Sequence, residues 1–200
     1  MPGRNKAMQN VPLTVPLNLA YRLLNHGPVV LVTTRHHGRQ NIMAAAWNMP
    51  LDFDPPRISI VIDKNTYTRQ LLEAAGTFAL NVPCVQQIDQ VQQVGSSSGR
   101  DLPAAADKFA HYGLSTFAST SIDAPMLNGC VAWLECKLIV ESPIQNSYDL
   151  FVADVVAAYA DERVFSAGHW HFDGHDQLRT LHHVAGGAFF ATGAALQAEL

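Results

Sequence analysis

Charge is scarce in this chain. Asp, Glu, Lys and Arg make up 15% of its 200 residues, against about 25% in ordinary soluble proteins. A folded monomer clothes its surface in such groups, so the shortage points to surface hidden in an oligomer or beneath a cofactor. With 48% hydrophobic residues, disorder is excluded. The 13 Lys and Arg form no block and the net charge is −4. That leaves no basic patch for nucleic acid.

Cysteine is equally sparse, at Cys84, Cys130 and Cys136. An odd count without a CxxC supports neither a disulfide framework nor a zinc ribbon. No apolar run reaches the ~18 residues of a membrane helix. The opening MPGRNKAMQNVPLTV has no apolar signal core. The expectation is a reduced, cytoplasmic protein with no membrane contact. Catalytic signatures are missing too: there is no GxSxG, no HExxH and no GxGxxG behind a strand. GSSSGR lacks the Lys-Ser/Thr ending of a phosphate-binding P-loop. Nothing therefore supports a protein nucleophile or a Rossmann site.

What is present reads as one domain over 1–200, with residues 1–16 as an N-terminal arm. LNLAYRLLNHG puts Leu17, Tyr21 and Leu24 on one helical face and stops at Gly27-Pro28. VVLVTT and QNIMAAAW, around a turn at Gly38, predict a hairpin over 29–47. Pro50, Pro55 and Pro56 bracket a loop before the strand RISIVI. NTYTRQLLEAAG is a short helix ended by Gly76, and TFALNV a strand. Val85, Ile88, Val91 and Val94 recur every third residue, the mark of an amphipathic helix. CVAWLECKLIVE and DLFVADVVAAYA predict a long antiparallel pair, with SPIQNS as the turn. At least six strands and few helices make the chain mainly β with α decoration, in a barrel rather than a doubly wound sheet.

Three segments attract chemistry. Five of nine histidines fall between 169 and 183. His169, His171, Asp173 and His175 could form a metal set, or a solvated loop; no motif spacing selects a metal, and none is assigned. NIMAAAW carries three alanines, poor strand formers. They let a flat ligand approach the backbone, or a neighbouring element pack closely, and both readings stay open. The helix near Asn65 offers free N–H groups and the hydroxyls of Thr66 and Thr68, with Lys64 or Arg69 for charge. That suits an anion, or is simply a capped helix start.

Taken in order, GPVVLVTT, NIMAAAWNMPLDFDPPRISIVI, TYTRQLLEAAGTFALNVP, SSSGRDLPAAADKF and LHHVAGGAFFATG resemble the flavin reductase-like family of FMN-binding split barrels, flavoredoxins included. The resemblance runs from about residue 17 to 192. It implies a split β-barrel of Greek-key type and a homodimer, with FMN near the subunit interface (FAD is the alternative). NADH or NADPH would donate hydride to the flavin, and an oxygenase or electron-acceptor protein would be a further partner. Asn41, Met43, Ala44, Ala45 and Trp47 would line the flavin. Thr66 and Thr68 would hold its phosphate. Asn81 would lie near the ring, and Ser98, Gly99 and Arg100 would border the cofactor. Lys108 would reach the flavin or its substrate, and Phe189 or Phe190 would cover the ring. Tyr148 is a weaker candidate from across the dimer. No catalytic side chain is implied, since the cofactor carries the reaction. Alternatives are a flavoredoxin-like electron carrier, and a non-enzymatic barrel holding another planar cofactor or a metal.

Overall fold

A computed structural model describes residues 28–103 and 106–198. The expected N-terminal arm and the helix bearing Leu17, Tyr21 and Leu24 lie outside the described residues. The elements run β1 (Val30–His36), β2 (Arg39–Ala45), β3 (Asn48–Phe53), β4 (Pro56–Val61), α1 (Tyr67–Ala75), β5 (Thr77–Val82) and α2 (Ile88–Gly95). Then come α3 (Lys108–His111), β6 (Thr116–Ala118), β7 (Pro125–Leu127), β8 (Ala132–Ile139), α4 (Ser142–Tyr148) and β9 (Leu150–Ala160). β10 (Phe165–Ser166), β11 (His169–Trp170), β12 (Leu181–Ala185) and β13 (Ala188–Ala191) close the chain.

Seven strands form one antiparallel sheet in the order β2-β1-β5-β8-β9-β4-β3. Its two edge strands, β2 and β3, are separated in sequence only by Ala46 and Trp47. Three Cα steps span at most ~11 Å, so the sheet must curl until its edges meet. The result is a mainly β, split barrel whose seam lies at Ala46–Trp47. Strand periodicity sorts the core into two layers. Val30 and Val32 of β1 point inward with Ile58, Ile60, Phe78 and Phe151. Val29 and Leu31 point outward, under Val91, Val94 and Phe109.

The helices obey their local signals. Thr66 caps α1 by accepting from the Arg69 N–H, and Gly76 ends it at φ 68°, a conformation that favours glycine. Leu72 projects from α1 into the inner layer. Val91 and Val94 seat α2 on the outer face of the sheet against Ile42. Ile88 is exposed instead.

Two segments differ from expectation. Residues 48–53, expected as a loop, form the edge strand β3, paired to β4 from Asn48↔Ile60 to Phe53↔Pro56. An edge strand needs only one side of its hydrogen bonds, so it tolerates Pro50. SPIQNS, expected as a turn, is helix α4, with Pro143 in its first turn. Tyr148 therefore sits at a helix end, exposed, rather than at a hairpin tip. Arg69 fixes α4 in place: it pairs with Glu73 at 2.9 Å and with Asp149, and donates to the Gln145 carbonyl at 3.0 Å. Burial would lower this guanidinium, but the bonds from Glu73 and Asp149 outweigh it and hold the charge.

In the histidine-rich segment, β10 and β11 make a two-residue hairpin stapled by Phe165 and Trp170. His171 bonds Ser166 at 2.8 Å. Among the described residues, no three His, Cys, Asp or Glu side chains are arranged to hold a metal. Nor is any helix among them long and apolar enough to cross a membrane.

Candidate functional site

The small residues of β2 form the floor of two adjoining cavities that meet at Ala44 and Gly95. The first, of about 460 Å³, is bounded by Ala44, Ala45, Ala46 and Trp47 at the barrel seam. Val91, Gln92, Gly95 and Ser96 of α2 and its C-terminus form a second wall. His183, Gly186, Gly187 and Phe189, from the β12–β13 hairpin, form the third. A Cβ on Gly95 would lie 3.2 Å from that of Ala44, so glycine there sets how closely α2 approaches β2. The cavity is mostly apolar and suits a planar ring.

The second cavity, about 230 Å³, also has mostly apolar walls but gathers several polar groups and one cation. Asn41, Met43, Thr66, Tyr67, Thr68, Ser97, Ser98, Gly99 and Lys108 line it. Asn41 is buried, and its Nδ2 donates to Thr68 Oγ1 at 2.8 Å. Its Oδ1 is buried with no hydrogen-bond partner among the described residues. Such an orphan costs about 1–3 kcal/mol, which a donor on a ligand would recover. Gly99 is required beside it, because a Cβ would fall 2.3 Å from Asn41 Oδ1.

Lys108 is the cation of this cavity, with only 1% of its surface exposed. Its Nζ donates to the carbonyls of Val94 at 2.7 Å and Ser97 at 2.6 Å. It thus caps the C-terminal end of α2. Burial lowers its pKa to about 8. An ammonium has three N–H bonds, so one remains for a ligand. Thr68 uses its oxygen to accept from Asn41, and its O–H has no acceptor among the described residues. Thr66 is committed as the α1 cap, donating to Asp63 O at 2.8 Å. The first N–H groups of α1 have no intrahelical partner, and no acidic residue stands in its first turn. This donor set fits an anion, and Asn41 Oδ1 fits a hydroxyl. Together the two cavities suit a molecule with a flat ring, a polyhydroxy linker and a phosphate.

The other expected residues are placed as follows. Ser98, Gly99 and Arg100 follow α2, and Arg100 turns to a third cavity of about 340 Å³ with Arg39 and Tyr67. Phe189 packs on the outer core and lines the ring-sized cavity, whereas Phe190 is exposed. Asn81 borders none of the three cavities. It is fully buried, donates to Leu31 O and Thr33 Oγ1, and accepts from the Leu127 N–H at 2.7 Å. Arg69, considered a source of charge, faces α4 instead. His183, Gln92 and Ser96 are not among the site residues expected from the sequence. The weak signal for the latter two was the polar face opposite Val91 and Val94; His183 was one histidine among five.

The model of the Flavin reductase like domain matches residues 22–179. An uncharacterized Escherichia coli K12 protein, YddH, is 45% identical over 184 residues, 90% of this chain and 95% of that one. The crystal structure of an FMN-binding domain of a flavin reductases-like enzyme from Shewanella baltica OS155 superimposes with a TM-score of 0.82. It is 48% identical, covering 92% of this chain and 96% of that one. Flavoredoxin of Desulfovibrio vulgaris (Miyazaki F) shares the fold, with a TM-score of 0.73 at 24% identity, over 97% and 96% of the two chains.

Proposed function

The chain belongs to the flavin reductase-like domain family, and on that premise we propose that it is an FMN-dependent oxidoreductase reduced by NADH or NADPH. One observation carries the reading: a ring-sized cavity runs, at Ala44 and Gly95, into a smaller one that holds a buried lysine and the unpartnered Asn41 Oδ1. Ala44, Ala45, Ala46 and Trp47 would lie along the isoalloxazine, with Phe189 at its border. Asn41 Oδ1 would accept from a ribityl hydroxyl. Lys108, the Thr68 hydroxyl and the N-terminus of α1 would hold the phosphate, an arrangement that favours anions. When bound, FMN supplies the hydride-accepting ring, while the protein orients and excludes water.

The protein acts as a homodimer in this reading. Trp47, just before β3, and Met49, Leu51 and Phe53 within it are all large, apolar and exposed, Phe53 at 92%, with a break in register at Leu51. An edge strand so decorated is an association surface. It begins next to Trp47, on the wall of the ring-sized cavity, so a second copy would help cover the cofactor. The three free, buried thiols fit a reducing, cytoplasmic setting.

The test is an absorbance spectrum of the purified protein, repeated after anaerobic NADH and NADPH. Flavin bands near ~450 nm that bleach with either donor are expected. A protein that stays colourless after FMN is supplied refutes the proposal.

A further inference from the structure

We propose that His183 is the acid that protonates the electron acceptor as it is reduced; the inference rests on the flavin reading above. Among the described residues lining the 460 Å³ cavity, His183 is the one ionisable side chain. Gln92, Ser96 and Trp47 add polar atoms there, but none of the three is an ionisable side chain. The imidazole is held rather than loose. It is half-buried and meets the Phe189 ring edge-on at 5.4 Å and 65°. The two residues face each other in the β12–β13 register. Phe189 is itself packed against the outer core. The register shifts just after His183, and Gly186 and Gly187 turn the chain at positive φ. The hairpin thereby brings His183 to the same cavity as the Ala44–Trp47 floor.

With the flavin ring along the Ala44–Trp47 floor, an acceptor has to stack on that ring beside this one acid. The class that fits is a planar, electron-poor carbonyl compound, a quinone or an enone. Such an acceptor gains a C–H or O–H bond by taking a hydride from the reduced cofactor. The displaced π electron pair settles on the enone oxygen, or on the quinone's other carbonyl oxygen. That oxygen then takes a ring N–H proton from His183: the N–H bond breaks, an O–H bond forms, and solvent returns a proton to the ring. General acids of this kind contribute about 10²–10⁴ in rate.

The experiment compares the wild type with His183→Gln, His183→Asn and His182→Gln, each loaded with FMN. The first readout needs no turnover. 4-Nitrophenol carries the phenolate oxygen that the reduced acceptor would present, and its absorbance reports the bound phenolate in the oxidised protein without nicotinamide. The His183 variants should bind phenolate at least about tenfold more weakly, and His182→Gln as the wild type does. The second readout is the ratio of the oxidation rate by a naphthoquinone, which needs a proton, to that by ferricyanide, which does not. That ratio should fall about 10²-fold in the His183 variants only. Variants that hold FMN yet match the wild type in both readouts overturn the inference and leave the cofactor reading intact. A wild type that holds no FMN overturns both.

Discussion

Replacing Lys108 by Met tests the smaller cavity from two directions. The side chains are of similar length, so the change removes the charge without opening much space. In the wild type, burial lowers the ammonium to about 8, against ~10.4 in an unfolded chain. Below pH 8 the group is charged in both states and its full desolvation cost opposes folding. Between pH 8 and ~10.4 the folded protein has released the proton and the unfolded chain has not. Stability therefore rises across that window, by up to ~1.4 kcal/mol per pH unit. The total is about 2–3 kcal/mol once residual solvent screening is allowed for. The variant lacks this gain. The buried thiols act oppositely: burial raises Cys84, Cys130 and Cys136, the last to about 12, so they lower stability as pH climbs past ~8.5. They are common to both proteins and cancel in the difference. Urea unfolding at pH 7, 8.5 and 9.5 should show the wild type gaining on Lys108→Met as pH rises. Parallel curves would refute the buried-ammonium assignment. FMN titration at pH 7 supplies the second reading. Loss of one charge-assisted hydrogen bond to the phosphate, about 1.5–3 kcal/mol, should weaken binding by roughly 10–150-fold. Wild-type affinity should also decline above pH 8, where the lysine must regain its proton to meet the phosphate.

Gly99→Ala would drive a Cβ to 2.3 Å from Asn41 Oδ1. It should cost about 1–3 kcal/mol in urea unfolding and weaken FMN binding at least about tenfold by fluorescence titration. Arg69→Met removes the partner of Glu73, Asp149 and the Gln145 carbonyl. Thermal or urea unfolding should register a loss of about 3 kcal/mol, while FMN affinity of the folded protein stays within about threefold. A Leu51→Asp, Phe53→Asp double variant should yield monomers by light scattering, because two charges on the exposed stripe of β3 oppose apolar association. An unchanged dimer mass would move the interface elsewhere.

Local signals with strong physical causes were legible in the sequence. Gly38 and Gly76 stop a strand and a helix because they take positive φ, and the paired runs around them emerge as β1–β2 and α1–β5. Val91 and Val94 marked the buried face of α2. What was not legible depends on neighbours. Pro50 reads as a loop until one knows that β3 is an edge. Ser142–Tyr148 is seven residues long, too short for periodicity, and Arg69 holds it from across the fold through Asp149 and the Gln145 carbonyl. The site divides the same way. Asn41, Ala44, Trp47, Thr68, Gly99 and Lys108 came from a resemblance in segment order, and the fold gathers them around β2. Asn81 shares that segment pattern but spends its amide on backbone bonds. His183 reaches the cavity only because β12–β13 lies over α2, a placement no spacing encodes.

The two-residue link Ala46–Trp47 leaves the chain no slack. It joins the first and last strands of a seven-stranded sheet and is also cavity wall. One added residue would lengthen the tether by roughly 3.5 Å while β3 keeps the facing set by its pairing with β4. Trp47 would then shift against the cavity it lines. Insertions at the β10–β11 hairpin carry no such coupling. Length at residues 46–47 therefore bears at once on closure of the sheet and on the shape of the cavity wall.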